Sequence, residues 1–160
     1  MSGLYNHSKI KCMITTTHGE GFGLPLFEAA YHGLPVIAPN WSGHCDFLYG
    51  PDKRSKEGKK PWFIPVEYEL KNIQSEAVWE NILIKDSQWC YPSEESFKKA
   101  LKEVKKNYTK HKKVASKLRK HIRENFTPEI KYGEFCEALA EFTQTEQLTM
   151  EQMLPQINVL

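Results

Sequence analysis

"HGEGFGLPLFEAAYHGLPVIAPN" spans residues 18–40 and sets Glu20 and Glu28 eight apart, with Gly19, Gly21 and Gly23 around the first acid and Pro25 behind it. Upstream, Ile10–Thr17 ("IKCMITTT") is short, apolar and β-branched, which predicts a strand. Leu24–His32 predicts a helix. Pro25 suits its first turn, where no backbone N–H is needed, and Gly33 suits its C-terminal cap. Leu34–Pro39 ("LPVIAP") predicts a second strand, continuously apolar as buried parallel strands are. Trp62–Tyr68 ("WFIPVEY") predicts a third. Strand, helix, strand with short connections is a βαβ unit, so the fold class is α/β with a parallel sheet of about three strands.

Around this centre, Met1–Lys9 reads as a helical turn or two and Gly43–Tyr49 as a short helix. Gly50–Pro61 ("GPDKRSKEGKKP") is charged and poor in apolar residues, so it reads as an exposed, mobile loop. The second half is helical. Ser93–Tyr108 has Phe97, Leu101, Val104 and Tyr108 on one face, and Ser93 followed by acids caps its start. Lys110–Asn125 carries Val114, Leu118 and Ile122 on its stripe. A third helix begins at Thr127-Pro128-Glu129 with Phe135, Leu139 and Phe142 facing inward. The organisation expected is one domain over residues 1–143, followed by a polar tail at 144–160 without internal repeats.

The totals narrow the classes. At 160 residues with 40% hydrophobic and 26% charged content, the chain is an ordinary globular domain. A net charge of +2 is too small to argue for nucleic acid or a membrane, and no apolar run approaches the roughly 20 residues of a spanning helix. The polar, interrupted Met1–Cys12 does not read as a signal peptide. Cys12, Cys45, Cys90 and Cys136 are dispersed without a Cys-x-x-Cys pair, which favours reduced thiols and a cytoplasmic setting.

A glycine-rich turn between strand and helix is a place to hold an anion. N–H groups at a helix start lack internal partners, and the helix dipole adds partial positive charge. No Gly-Lys-Ser/Thr follows, so this is not a P-loop; nor is it Gly-x-Gly-x-x-Gly. Glu28 lies early in the helix, where side chains lean back toward the N-terminus, and so overlooks the crevice that Glu20 enters from the loop. Two carboxylates flanking a phosphate cradle suit a sugar nucleotide, one holding the ribose and the other the sugar.

Leu4–Leu48 resembles the donor-binding segment of retaining glycosyltransferases of GT-B architecture (the group 1 type). Their signature is Glu-x7-Glu in the context EGFGLPxxEA, present here from Glu20 to Glu28, and "GLPVIAPNWSG" continues the pattern. Trp89–Pro92 and the late "NFTPEIKYGEF" resemble the family's tail more weakly. The resemblance implies a partial Rossmann-like domain, the second half of a GT-B C-terminal domain, followed by C-terminal helices. It implies that Glu28 binds the ribose and that Glu20, as the catalytic position, sits by the transferred sugar. Gly19, Gly21, Phe22, Gly23 and Leu24 would contact sugar and diphosphate, with His18 beside them. The nucleotide-diphosphate sugar is then a substrate, retention of configuration is expected, and no metal or other cofactor is.

One departure from the pattern matters. In that family the basic pair facing the diphosphate, and the acceptor-binding domain, precede the segment that begins this chain. The partners expected are therefore a nucleotide-sugar donor, an unknown acceptor (saccharide, lipid-linked or protein), and an N-terminal half-domain or a second copy pairing with an open sheet edge. The alternative is a binding or interaction module that transfers nothing without such a half.

Blander readings compete. Glu20 and Glu28 could be solvated acids near a helix cap, or the two carboxylates of a glycosidase. His18, His44, Cys45 and Asp46 match no zinc spacing. Asn40–Gly43 ends the second strand beside the crevice and could touch the donor, as could Trp41. The lysine-rich Lys98–Arg123 reads as a solvated helix face, with attraction to an anionic membrane surface as the second reading; its aromatics lie on the apolar stripe, which argues against nucleic acid.

Overall fold

The fold is that of a computed structural model in which residues 2–143 are described. The polar tail at 144–160 lies outside the described residues. The chain divides into two compact units, Met1–Glu124 and Asn125–Leu160.

The first unit opens with a single turn, α1 (Ser2–Tyr5), and then β1 (Met13–Ile14), shorter than the strand expected over Ile10–Thr17. β1 has two ladder partners in β2 (Val36–Pro39), Met13 opposite Val36 and Ile14 opposite Ile37, and among the described residues it pairs on one side only. Between them α2 (Leu24–Tyr31) buries Leu26, Ala29 and Ala30. Its end is a Schellman turn: Gly33, at φ +74°, donates to the Ala30 carbonyl and Leu34 to that of Ala29, each at 2.9 Å. Chain reversal at Gly33 sends "PVIAP" straight back through the core, where all four residues of β2 are buried.

The short helix α3 (Cys45–Leu48) leads into a correction. Gly50–Pro61, expected as a loop, is mostly an antiparallel hairpin of β3 (Tyr49–Pro51) and β4 (Lys59–Pro61). Asp52 organises its turn. The Asp52 N–H donates to the Gly58 carbonyl at 2.8 Å, while its carboxylate accepts from the Arg54 N–H at 3.1 Å and pairs with Lys60 at 2.7 Å. β5 (Ile64–Val66) follows and lies parallel to β2, completing a three-stranded parallel sheet in the order β1-β2-β5. This is the partial Rossmann-like α/β sheet expected. A second hairpin was not expected: β6 (Tyr68–Asn72) pairs with β7 (Gln88–Pro92).

α4 (Glu94–Lys106) starts on Ser93, whose hydroxyl accepts from the Ser96 N–H at 3.2 Å. Ala100 and Val104 pack on Ile37, Ile64 and Val66, with Phe97, Leu101 and Tyr108 sealing the edge. Burying such side chains is worth about 1.5–3 kcal/mol each, so this layer anchors the sheet. α5 (Tyr108–Asn125) buries Ala115, Leu118 and Ile122. Val114, expected on that face, is half-buried because the small Ala115 occupies the contact. The close approach is visible at Gly33, where an added Cβ would lie 3.2 Å from Cδ of Arg119 and 4.0 Å from the Ala115 carbonyl.

In the second unit, α6 (Pro128–Thr143) spans the described residues. Phe135 and Leu139 are exposed there, at 60% and 48%, and do not form the buried face expected. Phe142 lies outside the described side chains.

Candidate functional site

Three connections leave the carboxyl ends of the parallel strands: residues 15–23 after β1, Asn40–His44 after β2, and Glu67 after β5. Ligands in open α/β sheets bind in the crevice outside these ends. Glu20, Gly19, Gly21, Phe22, Gly23, Leu24 and His18 all lie on the first connection or at the helix start it feeds.

Glu20 is held by its main chain. Its N–H donates to the Ser42 hydroxyl at 2.9 Å, and its carbonyl accepts from that hydroxyl at 2.6 Å and from the Gly43 N–H at 3.1 Å. Ser42 adopts φ +81° to reach this position, a conformation unusual for a residue with a side chain. Gly43 is there because nothing larger fits: a Cβ would lie 1.9 Å from the Gly21 carbonyl oxygen. The Glu20 carboxylate itself accepts from the Thr17 hydroxyl at 2.9 Å and is half-buried.

Beyond Glu20 the chain offers a run of unused donors. Gly23 caps α2 in the left-handed region (φ +83°, ψ +52°), and no side chain caps the helix. Among the described residues nothing accepts from the N–H groups of Gly21, Phe22, Gly23 or Leu24. Successive amides bent through a left-handed residue can turn their N–H groups toward an anion, and the positive end of the α2 dipole lies at the same place. Phe22 secures the loop from behind, its ring centroid 5.0 Å from that of Phe47 and 5.4 Å from Phe27. Beneath, His44 is buried at 1% exposure; its Nε2 donates to the Pro39 carbonyl at 2.7 Å, leaving Nδ1 as a buried acceptor without a partner.

Glu28 is half-buried on the second turn of α2. Its partner comes from α1. The buried Tyr5 phenol donates to the Glu28 carboxylate, and its pKa is raised first by burial and then by that hydrogen bond and the neighbouring charge. Tyr5 also stacks on His32, one turn along from Glu28, at 5.7 Å.

His18 is drawn to the second hairpin: its Nδ1 lies 2.7 Å from the Cys90 carbonyl, and its ring stacks on Trp89 at 4.9 Å. His18, His44, Cys45 and Asp46 do not converge. His44 is committed to Pro39, His18 to Cys90, and burial with the adjacent Asp46 charge pushes the Cys45 thiol up to about 11.

Two concavities open at the same end of the sheet. One, of about 280 Å³, is lined by Asn40, Trp41, Ser42, Cys45, Asp46, Tyr49, Glu57 and Lys59. Another, of about 490 Å³, is lined by Asn40, Pro65, Val66, Glu67, Tyr68 and Ser96. Neither includes Glu20 or Glu28, and the first adjoins Glu20 through Ser42. Sequence reasoning missed Tyr5, Trp89 and Cys90 as partners of site residues. Only "WSG" carried a signal for the clasp on Glu20.

Four unpaired amides at the carboxyl edge of a parallel sheet, with Glu20 on the loop before the helix and Glu28 on its second turn, mark this end of an α/β domain. The sequence model of the family described as "Family 4 Glycosyltransferase in conflict systems" matches residues 6–132, most of the chain, and the chain belongs to that glycosyltransferase family. No curated protein and no solved structure matches it.

Proposed function

We propose that this domain binds a nucleoside-diphosphate sugar and serves a retaining glycosyl transfer as the donor half of a GT-B enzyme. The observation that carries the reading is the Glu20 clasp beside four unpaired amides, Gly21 to Leu24. The amides take the diphosphate, Glu28 takes the ribose hydroxyls, and Glu20 lies against the sugar. In the reaction the bond from the anomeric carbon to the diphosphate oxygen breaks and a bond to the acceptor hydroxyl oxygen forms on the same face. The acceptor's proton passes to the leaving phosphate oxygen. Fixed donors pointed at that developing charge supply the electrostatic stabilisation, and the reading calls for no metal or other cofactor. The acceptor is bound by a second half-domain facing the crevice. β1, paired on one side only among the described residues and with Ile14 40% exposed, supports such a partner at the sheet edge. We place the protein in the cytoplasm, with the cationic helices α4 and α5 toward an anionic membrane surface.

The test is a titration of UDP, GDP and ADP and their glucose or mannose conjugates against the full chain. Glu28→Gln should weaken nucleotide and nucleotide sugar alike by about 1.5–3 kcal/mol, the worth of hydrogen bonds to a charged group. Glu20→Gln should weaken the sugar nucleotide more than the free diphosphate. Equal losses in the Glu20 variant would remove its assignment to the sugar. Binding without transfer, even with a complementing half-domain, would favour the non-catalytic module.

A further inference from the structure

The β6–β7 hairpin lays one face of β7 against His18. Trp89 and Tyr91, two apart on the strand and therefore on one side of it, meet the imidazole at 4.9 Å (nearly parallel, 13°) and 4.7 Å (tilted, 59°). Between them, the Cys90 carbonyl accepts from His18 Nδ1 at 2.7 Å, and the Cys90 N–H donates to the His18 carbonyl at 3.2 Å. The histidine is thus fixed by one side-chain and one main-chain hydrogen bond to Cys90 and by two rings.

A carbonyl oxygen only accepts, so the neutral ring carries its proton on Nδ1. Nε2 is then a bare lone pair on the edge of the ring that does not meet the Cys90 carbonyl, and no group among the described residues donates to it. Two residues on, the Glu20 carboxylate is another acceptor, with Thr17 donating to one of its oxygens. A pair of acceptors repels phosphate oxygens and asks for hydroxyl hydrogens. We propose that His18 Nε2 accepts a hydrogen bond from a hydroxyl of the donor sugar, and that Trp89, Cys90 and Tyr91 are positioning residues that fix its tautomer and ring plane. The inference rests on the donor reading above. It gives the hairpin a task in selecting the sugar: a sugar lacking that hydroxyl leaves Nε2 unpaired, and a ring already held loses little freedom on binding.

Two measurements on the full chain separate this inference from its foundation. Nitrogen-15 NMR of the imidazole in the ligand-free protein should show a single Nδ1–H tautomer, and Trp89→Ala should turn it into a mixture. A predominantly Nε2–H ring in the wild type would overturn the proposal, whether or not the Trp89 variant folds. Then UDP-glucose, GDP-mannose and ADP-glucose are titrated beside UDP, GDP and ADP. His18→Phe keeps an aromatic ring against Trp89 but removes the lone pair, and should cost about tenfold in affinity for the sugar nucleotide while leaving the diphosphate unchanged. His18→Gln, whose amide oxygen reaches a similar point, should recover part of the loss. Equal weakening of both ligands would overturn the hydroxyl assignment. Failure of every nucleotide to bind, with the Nδ1–H tautomer intact, would overturn the donor reading and that assignment together while leaving the hairpin's hold on the ring standing.

Discussion

The carbonyl oxygen of Gly21 lies 1.9 Å from the point where residue 43 would carry its Cβ. Two loops from neighbouring strands therefore touch backbone to backbone, and neither wall can yield by changing a rotamer. Gly43→Ala must push the Gly21 loop outward, and with it the Glu20 clasp. The expected cost is about 1–3 kcal/mol of stability, the range for overpacking, together with loss of nucleotide binding. Gly21→Ala is the control for the stability loss, because an added Cβ there meets nothing within 4 Å. Thermal denaturation and nucleotide titration of the two variants check both halves; an unaffected Gly43→Ala would refute the close contact.

Tyr5 and Glu28 form the other pairing on which the site depends. Tyr5→Phe removes one donor from a half-buried carboxylate and should cost about 1 kcal/mol. The phenol's pKa is raised above its ordinary 10.0, by burial first and then by Glu28. A raised native pKa means that the folded protein keeps the proton longer than the unfolded chain does. The stabilising contribution is therefore complete below about pH 10 and falls away as pH climbs through the higher native value. Denaturant midpoints of wild type and Tyr5→Phe should differ by a constant amount up to that pH and converge above it. A gap that persists unchanged at higher pH would count against the pairing.

The centre of the fold was readable because its chemistry is local. Pro25 and Gly33 bracket α2, Ser93 starts α4, and the apolar run of β2 has no other place to go than the core. The hairpins were not readable for the opposite reason. β6 exposes four of its five residues and β4 two of three, so ladder bonds rather than an apolar alternation hold them. Phe135 and Leu139 show that helical periodicity announces an apolar face without supplying what covers it. At the site, the motif exposed Glu20, Glu28 and the glycines. Their holders are tertiary: Tyr5 is far upstream of Glu28, and Cys90 is 72 residues beyond His18.

The first hairpin carries its own acid dependence. Asp52 is held down to a pKa of about 2, first by the Lys60 hydrogen bond and then by the Arg54 N–H. A depressed native pKa places its contribution fully above the ordinary 3.8 and removes it as pH falls toward 2. Carboxyl carbon shifts of Asp52 should titrate near pH 2, and the β3–β4 amides should lose protection over the same interval. Asp52→Asn should abolish that pH dependence. Titration near 3.8 in the wild type would show the turn to be held by its main chain alone.

Charge is not spread evenly over this chain. Lys98–Arg123 holds twelve lysines and arginines against one acid, Glu103, while the whole chain balances to +2. Lys112 shows the crowding: burial first, then the charges of Arg119 and Lys11, lower its pKa as its ammonium caps the Gly33 carbonyl at 2.7 Å. Lys102, Lys113 and Lys117 are exposed and have no acidic partner among the described residues. A cation close to an anionic bilayer is worth about 1 kcal/mol, roughly fivefold in binding. Co-sedimentation with vesicles containing anionic lipid should therefore exceed that with neutral vesicles. It should collapse as salt shortens the screening length from about 10 Å at 0.1 M to about 3 Å at 1 M. Replacing Lys102, Lys113 and Lys117 together by Gln should weaken it without altering the nucleotide binding proposed for the Glu20 and Glu28 loop. Equal sedimentation with both vesicle types, or retention on RNA in preference to either, would remove the membrane from the account and leave these helices a solvated face.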